Sequence, residues 1–155
     1  MLIRSVAYDI KESGGFTLVE ILLVVGIIGI LTVLFVPMGL DFYRTQQLDI
    51  SSEALAQSIR RVQLKSMAAE LDSKFGIYIT NDNYVLFKGD SYLERDAQYD
   101  ETFDFPEVIT LTGSPREIIF SKFEGRPSFV GSIVLNSGGA SRTIIINKFG
   151  TVNLE

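Results

Sequence analysis

The chain has 155 residues, a formal net charge of -5 and 46% hydrophobic residues, with neither cysteine nor histidine. Disulfides, thiolate metal sites and Ser-His-Asp or Cys-His catalysis are therefore excluded, and carboxylate chemistry alone is left unsupported by any motif. Apart from Arg60-Arg61 the basic residues stand singly, which argues against a nucleic-acid scaffold, since that needs a clustered basic face.

The first element is apolar. From Ile21 to Leu40 no residue is charged, and about twenty residues of helix cover about 30 Å, the hydrocarbon core of a bilayer. The run is too long for a secretory signal, and the small residues Ser13-Gly14-Gly15 precede it instead of following it. The expectation is a single membrane span. Arg4 and Lys11 before it, against Arg44 after it, place the N-terminus in the cytoplasm and the rest outside. Thr17-Leu18-Val19-Glu20 fits a capping box, in which Glu20 simply starts the helix and is favoured by its dipole. Gly26 and Gly29 thin one face for close helix approach, although glycine is also common in spans. Pro37 lacks an N–H and crowds the Val33 carbonyl, which predicts a kink.

From Asp41 to about Leu71 the helical pattern continues as an amphipathic one. Leu48, Leu55, Ile59, Val62 and Ala69 recur at helical spacing, while Asp49, Glu53, Arg60 and Lys65 take other faces. Arg60-Arg61 reads as a solvated helix face. After Asp72 the period shortens to two. Ile77-Tyr78-Ile79 and Tyr84-Val85-Leu86-Phe87 flank Asn81-Asp82-Asn83, a hairpin signal. Further runs are Val108 to Leu111, Glu117 to Phe120, Ser132 to Leu135, Thr143 to Ile146 and Thr151 to Leu154, with turns at Ser137-Gly138-Gly139 and Lys148-Phe149-Gly150. The acidic stretch 89–107 matches no EF-hand spacing and reads as a solvated, mobile loop in preference to a calcium site. The fold class expected is α+β: one long helix, apolar then amphipathic, packed on an antiparallel sheet, with two packed sheets favoured.

Gly15-Phe16-Thr17-Leu18-Val19-Glu20 followed by the uncharged run resembles the class III signal of type IV pilins and type II secretion pseudopilins. The resemblance implies cleavage by a prepilin peptidase after Gly15 and N-methylation of Phe16. Cutting after Gly14 instead would leave glycine first and Glu20 sixth. It further implies that Glu20 pairs with the N-terminal amine of a neighbouring subunit, a role that can coexist with capping. Gly26, Gly29 and Pro37 become assembly positions, and the stretch between Gly29 and Pro37 can unwind in filaments. On this reading 1–15 is a leader peptide, 16–40 a transmembrane assembly helix, and 41–155 an extracytoplasmic pilin-like α+β domain.

The helix from Leu55 to Ala69, the following hairpin and the closing Ile133–Leu135, Ile144–Ile146, Gly150 pattern are similar to the GspH/FimT group of minor pseudopilins. Competence-type members of that group bind DNA through arginines near the closing glycine. Here Thr151-Val152-Asn153 follows Gly150, so nucleic acid is not an expected partner. The implied partners are the prepilin peptidase, other pilin or pseudopilin subunits, an inner-membrane assembly platform and ATPase, and membrane lipid. The implied place is the bacterial cytoplasmic membrane, then an extracytoplasmic filament. A structural filament subunit is the leading reading, with no cofactor, no metal and no enzymatic activity. A membrane-anchored or tip-located module binding DNA, a surface or a secreted protein is the alternative.

Overall fold

A computed structural model describes residues 15–155. The chain divides into two compact units, Met1–Gly39 and Leu40–Glu155. Helix α1 spans Leu18–Met67, and a 3₁₀ turn follows at Glu70–Asp72. Eight strands come next: β1 (Phe75–Ile79), β2 (Asn83–Lys88), β3 (Glu101–Asp104), β4 (Thr110–Thr112), β5 (Glu117–Phe120), β6 (Gly131–Ser137), β7 (Ala140–Ile146) and β8 (Val152–Leu154). They form two four-stranded sheets, ordered β3-β2-β1-β5 and β4-β6-β7-β8, with every pairing antiparallel. The α+β class and the two sheets follow the sequence reading.

Burial in the second unit follows the helical stripe. Leu48, Leu55, Ala56, Ile59 and Val62 are fully buried, and Ser52 and Ser66 continue the same line. They share one core with Phe75, Ile77, Ile79 and Leu86 of the first sheet and with Ile133, Leu135, Ile144 and Ile146 of the second. In β6 the residues Ile133, Leu135 and Ser137 are buried, alternating with partly exposed neighbours, as expected for a sheet with one face on the core. Each buried leucine, isoleucine or phenylalanine side chain of this core contributes about 1.5–3 kcal/mol by leaving water.

Three expectations are corrected. Ala69 is not on the helical stripe, because α1 ends at Met67 and Ala69 has φ 48. The turn that follows also places Leu71 and Asp72 at φ 51, a left-handed conformation costing about 1 kcal/mol or more per residue. Ser66, fully buried, offsets that cost. Its hydroxyl accepts from the Phe75 N–H at 2.9 Å and lies 3.3 Å from the Phe75 carbonyl, tying the helix end to β1. Lys122 also pairs with Asp72, and this hydrogen bond, more than the charge itself, holds the carboxyl below its usual range.

The acidic stretch 89–107 is not a free loop. Residues 101–104 form β3, whose Glu101 meets Arg61 at 2.8 Å and Lys65 at 3.3 Å. Upstream, Tyr92 stacks on Tyr78 with ring centres 3.9 Å apart and meets Phe87 edge-on at 5.6 Å, covering the outer face of the first sheet. That cover explains why β2 is buried at four successive positions instead of alternating. The Tyr92 N–H donates to Glu117 at 2.7 Å, and Arg95 lies over the Tyr92 ring while bonding Asp100 at 2.7 Å. Asp90, Asp96, Asp100 and Glu101, which read as solvating, are here partners of Lys74, Lys88, Arg95 and the Arg61–Lys65 pair.

Arg60-Arg61 is likewise engaged. The Arg60 guanidinium donates to the Val152 carbonyl at 2.9 Å, tying α1 to the last strand.

The Tyr84 hydroxyl meets Ser58 at 3.3 Å inside the core. Burial pushes this phenol above its ordinary value of 10.0, with the Ser58 hydrogen bond opposing. The folded state thus holds the phenolic proton more tightly than the unfolded chain. Stability is complete below about pH 10 and falls as pH rises through the raised value. Thermal unfolding of detergent-solubilised protein at about pH 8 and about pH 11 should show that loss, and Tyr84→Phe should reduce it. An unchanged alkaline loss in the variant would assign it to other groups.

Candidate functional site

The sequence singles out the start of α1, and the local geometry there is simple. Gly15, Phe16 and Thr17 precede the helix in non-helical backbone, and all three are exposed. Thr17 is the N-cap: its Oγ1 accepts from the Glu20 N–H at 3.2 Å, and the Ile21 N–H donates to the Thr17 carbonyl at 3.2 Å. This is one arm of a capping box. The returning arm, from the Glu20 carboxylate to the Thr17 N–H, is not formed among the described residues. Glu20 stands exposed in the first turn, where the helix dipole favours an anion, and the described residues give its carboxylate no hydrogen bond or cation. The backbone is capped and the carboxylate is left over.

Further along, Gly26 and Gly29 lie three residues apart on one face, and a Cβ at either would meet nothing within 4 Å. With Val25, Ile30 and Val33 they line an apolar hollow of about 420 Å³. Phe16, Leu18, Ile21, Leu22 and Val25 line another of about 520 Å³. Leu18 to Val33 presents large exposed apolar side chains on every face, which water does not favour. Among the described residues no helix is long and apolar enough to cross a membrane. The side chains at 34 and 36–38 lie outside the described ones, Pro37 with them, while the helical backbone is continuous and the sequence uncharged from Ile21 to Leu40. Positions 1–14 of the expected leader also lie outside the described residues.

Among the described residues no group of three or more acidic side chains could hold a metal ion. One residue escaped the sequence reading altogether. The Gln63 amide donates to the Gly125 carbonyl at 3.1 Å and to the Phe149 carbonyl at 3.0 Å, holding two distant loops against α1. Its only sequence signal is a polar residue beside the apolar stripe, which is what any solvated helix position looks like.

No protein-family model matches the chain. It is 30% identical over 162 residues to the pilin-like protein PilA1 of Thermus thermophilus, covering 91% of this chain and 97% of that protein. It is 26% identical over 136 residues to a fimbrial protein of Pseudomonas aeruginosa, covering 88% and 78% respectively. In fold it is similar to the minor pseudopilin EpsH from the type 2 secretion system of Vibrio cholerae. There the TM-score is 0.53 at 11% identity, over 70% of this chain and 96% of the other; a second structure of the same protein gives 0.50.

Proposed function

The chain belongs to the pilin and pseudopilin family of structural subunits, and from that premise we propose that it is a minor subunit cut after Gly15, N-methylated on Phe16 and assembled through α1. The observation that carries this reading is the Glu20 carboxylate, one turn from Phe16 and with no hydrogen bond or cation among the described residues. Cutting after Gly15 creates a cationic amine on Phe16 at the head of the helix. Among the described residues the Glu20 carboxylate makes no return bond to the Thr17 N–H, so the cap leaves it available to pair. An ion moved out of water alone loses several kcal/mol, and a paired ion loses far less. The free carboxylate of one subunit therefore favours the amine of another.

The bond proposed for cleavage lies in exposed, non-helical backbone, which a peptidase can reach without unwinding α1. Before assembly, the apolar helix rests in the cytoplasmic membrane with 41–155 outside it, and the uncharged run Ile21–Leu40 supports that placement. The hollow at Gly26 and Gly29 admits a neighbouring helix closely. The peptidase, an assembly platform with its ATPase, and membrane lipid are the further partners this proposal entails.

Mass spectrometry of protein extracted from membranes should find a chain beginning at Phe16 with one added methyl group. Gly15→Glu should leave the precursor uncut, because a bulky charge stands beside the scissile bond. A Met1 start persisting in cells that hold the peptidase would remove the processing step from this account.

A further inference from the structure

The arginines of the Leu40–Glu155 unit are nearly all engaged. Arg44, Arg60, Arg61, Arg95, Arg126 and Arg142 each meet a carboxylate. Among the described arginines only Arg116 meets none, and it is exposed. It stands on a cleft of about 490 Å³, lined also by Thr80, Asn81, Asp82, Leu111 and Ser114. Among the described residues no cation pairs with Asp82 either. A guanidinium and a carboxylate therefore border one cleft and leave each other unpaired.

Both charges stand on backbone that is held in place. The Ile79 N–H donates to the Arg116 carbonyl at 2.9 Å, and the Phe105 N–H donates to the Asp82 carbonyl at 2.8 Å. The Thr80 hydroxyl accepts from the Asn83 N–H at 3.0 Å and donates to the Asn83 carbonyl at 2.9 Å. These bonds close the turn that carries Asn81 and Asp82. The cleft also crosses the seam between the two sheets. Thr80, Asn81 and Asp82 belong to the β1–β2 turn of the first sheet, Leu111 to β4 of the second, and Arg116 to the connection from β4 to β5. Small-molecule sites have volumes of roughly 300–1,000 Å³, and this cleft falls among them.

The two charges select the ligand. A simple anion is drawn by Arg116 and repelled by Asp82, and a simple cation meets the reverse. A molecule with one charge of each sign satisfies both. A guanidinium fork matches a carboxylate at two points, and a carboxylate beside an amide oxygen matches the donors of an ammonium group. We propose that this cleft binds a small zwitterion of the amino-acid type, either a free α-amino acid or a short peptide with both ends uncapped. Its carboxylate lies on Arg116, its ammonium on Asp82 and the Asn81 side-chain oxygen, and its apolar part on Leu111, which is partly exposed. Bound across the seam, it ties the β1–β2 turn to the β4–β5 connection, so occupancy stabilises the unit. The site lies wholly within Leu40–Glu155 and does not rest on the filament reading.

Isothermal titration of the detergent-solubilised full chain with L-leucine and with glycyl-leucine tests this. At least one of them should bind saturably, at one per chain. Tighter binding of leucine identifies a free amino acid, and tighter binding of the dipeptide identifies a peptide with two free ends. Acetylating the amine or amidating the carboxyl of whichever binds should each weaken it about tenfold or more, because each removes a charged hydrogen bond. Arg116→Ala and Asp82→Ala should each weaken the zwitterion by about the same factor, with unfolding midpoints unchanged in its absence. The pairings are specific, so amidation should cost nothing further in Arg116→Ala, and acetylation nothing further in Asp82→Ala. The capped compounds are measured on the wild-type chain, so they decide the matter even where a variant folds poorly. Failure of both zwitterions to bind more tightly than about 1 mM would overturn the proposal. So would capped compounds that bind as tightly as the zwitterion, and so would undiminished binding by both folded variants.

Discussion

Glu20→Gln should leave the chain processed and membrane-bound but missing from sheared filaments. The cap tolerates the change, because the bond that starts α1 runs from the Glu20 backbone N–H to Thr17 Oγ1 and does not involve the side chain. The charge does not tolerate it. On the proposed pairing, a glutamine would offer the amine of a neighbouring Phe16 a hydrogen bond and no anion, so that amine would enter the array unpaired. Removing one member of a desolvated pair costs about 3 kcal/mol or more, which corresponds to more than about a hundredfold in incorporation. Glu20→Asp keeps the charge on a shorter arm and should recover part of it. Quantifying the subunit in sheared fractions against the membrane pool would measure both. Equal incorporation of wild type and Glu20→Gln would reduce the carboxylate to a helix-start residue.

Gly150→Ala should destabilise the globular unit by about 3 kcal/mol, lowering its unfolding midpoint by about 10 °C. Two costs add at this position. The backbone is left-handed at φ 79, which costs an alanine about 1 kcal/mol. A Cβ here would also fall on the Gln63 amide nitrogen and come within 2.6 Å of the Gly125 carbonyl oxygen. Gln63 must then move, giving up its two hydrogen bonds at about 1 kcal/mol each. Gly139→Ala isolates the first cost, since Gly139 has φ 88 and open space where the Cβ would go. It should lose only about 1 kcal/mol. Differential scanning calorimetry on the two variants measures the difference. Equal losses would mean that Gln63 yields freely and that the clamp on the two loops adds nothing.

The sequence reading succeeded where the signal is local. The stripe Leu48, Leu55, Ile59 and Val62 is visible at helical spacing because each turn of one helix repeats the same environment, and all four are fully buried. The hairpin of β1 and β2 was legible from alternation either side of a polar turn; Thr80 and Asn83 close that turn, and Ile79 faces Tyr84. The β6–β7 hairpin was legible because two glycines in succession, at φ 57 and φ 88, suit a tight turn that matches the strands' twist. Strand β3 was missed for the opposite reason. Its four residues are mostly exposed, and what makes Glu101 structural is Arg61 and Lys65, about forty residues upstream in sequence. Composition alone makes such a segment look like solvent-facing loop.

By itself the sequence determined the start of α1, the uncharged run behind it, the fold class and the resemblance that led to the family. These depend on side chains in linear order, and a helix or a peptidase recognition stretch is specified within a few consecutive residues. Only the tertiary structure decided how the strands are shared. β4 leaves for the second sheet and β5 returns to pair with β1, an arrangement set by core faces that meet across long sequence separations. It also decided that the acidic stretch folds over the first sheet, that Ser66 and Arg60 tie α1 to β1 and β8, and that Gln63 brings two distant loops to one place. Periodicity reports which face a residue takes on its own element. Which other element meets that face depends on the packing of the whole chain, and no local pattern encodes it.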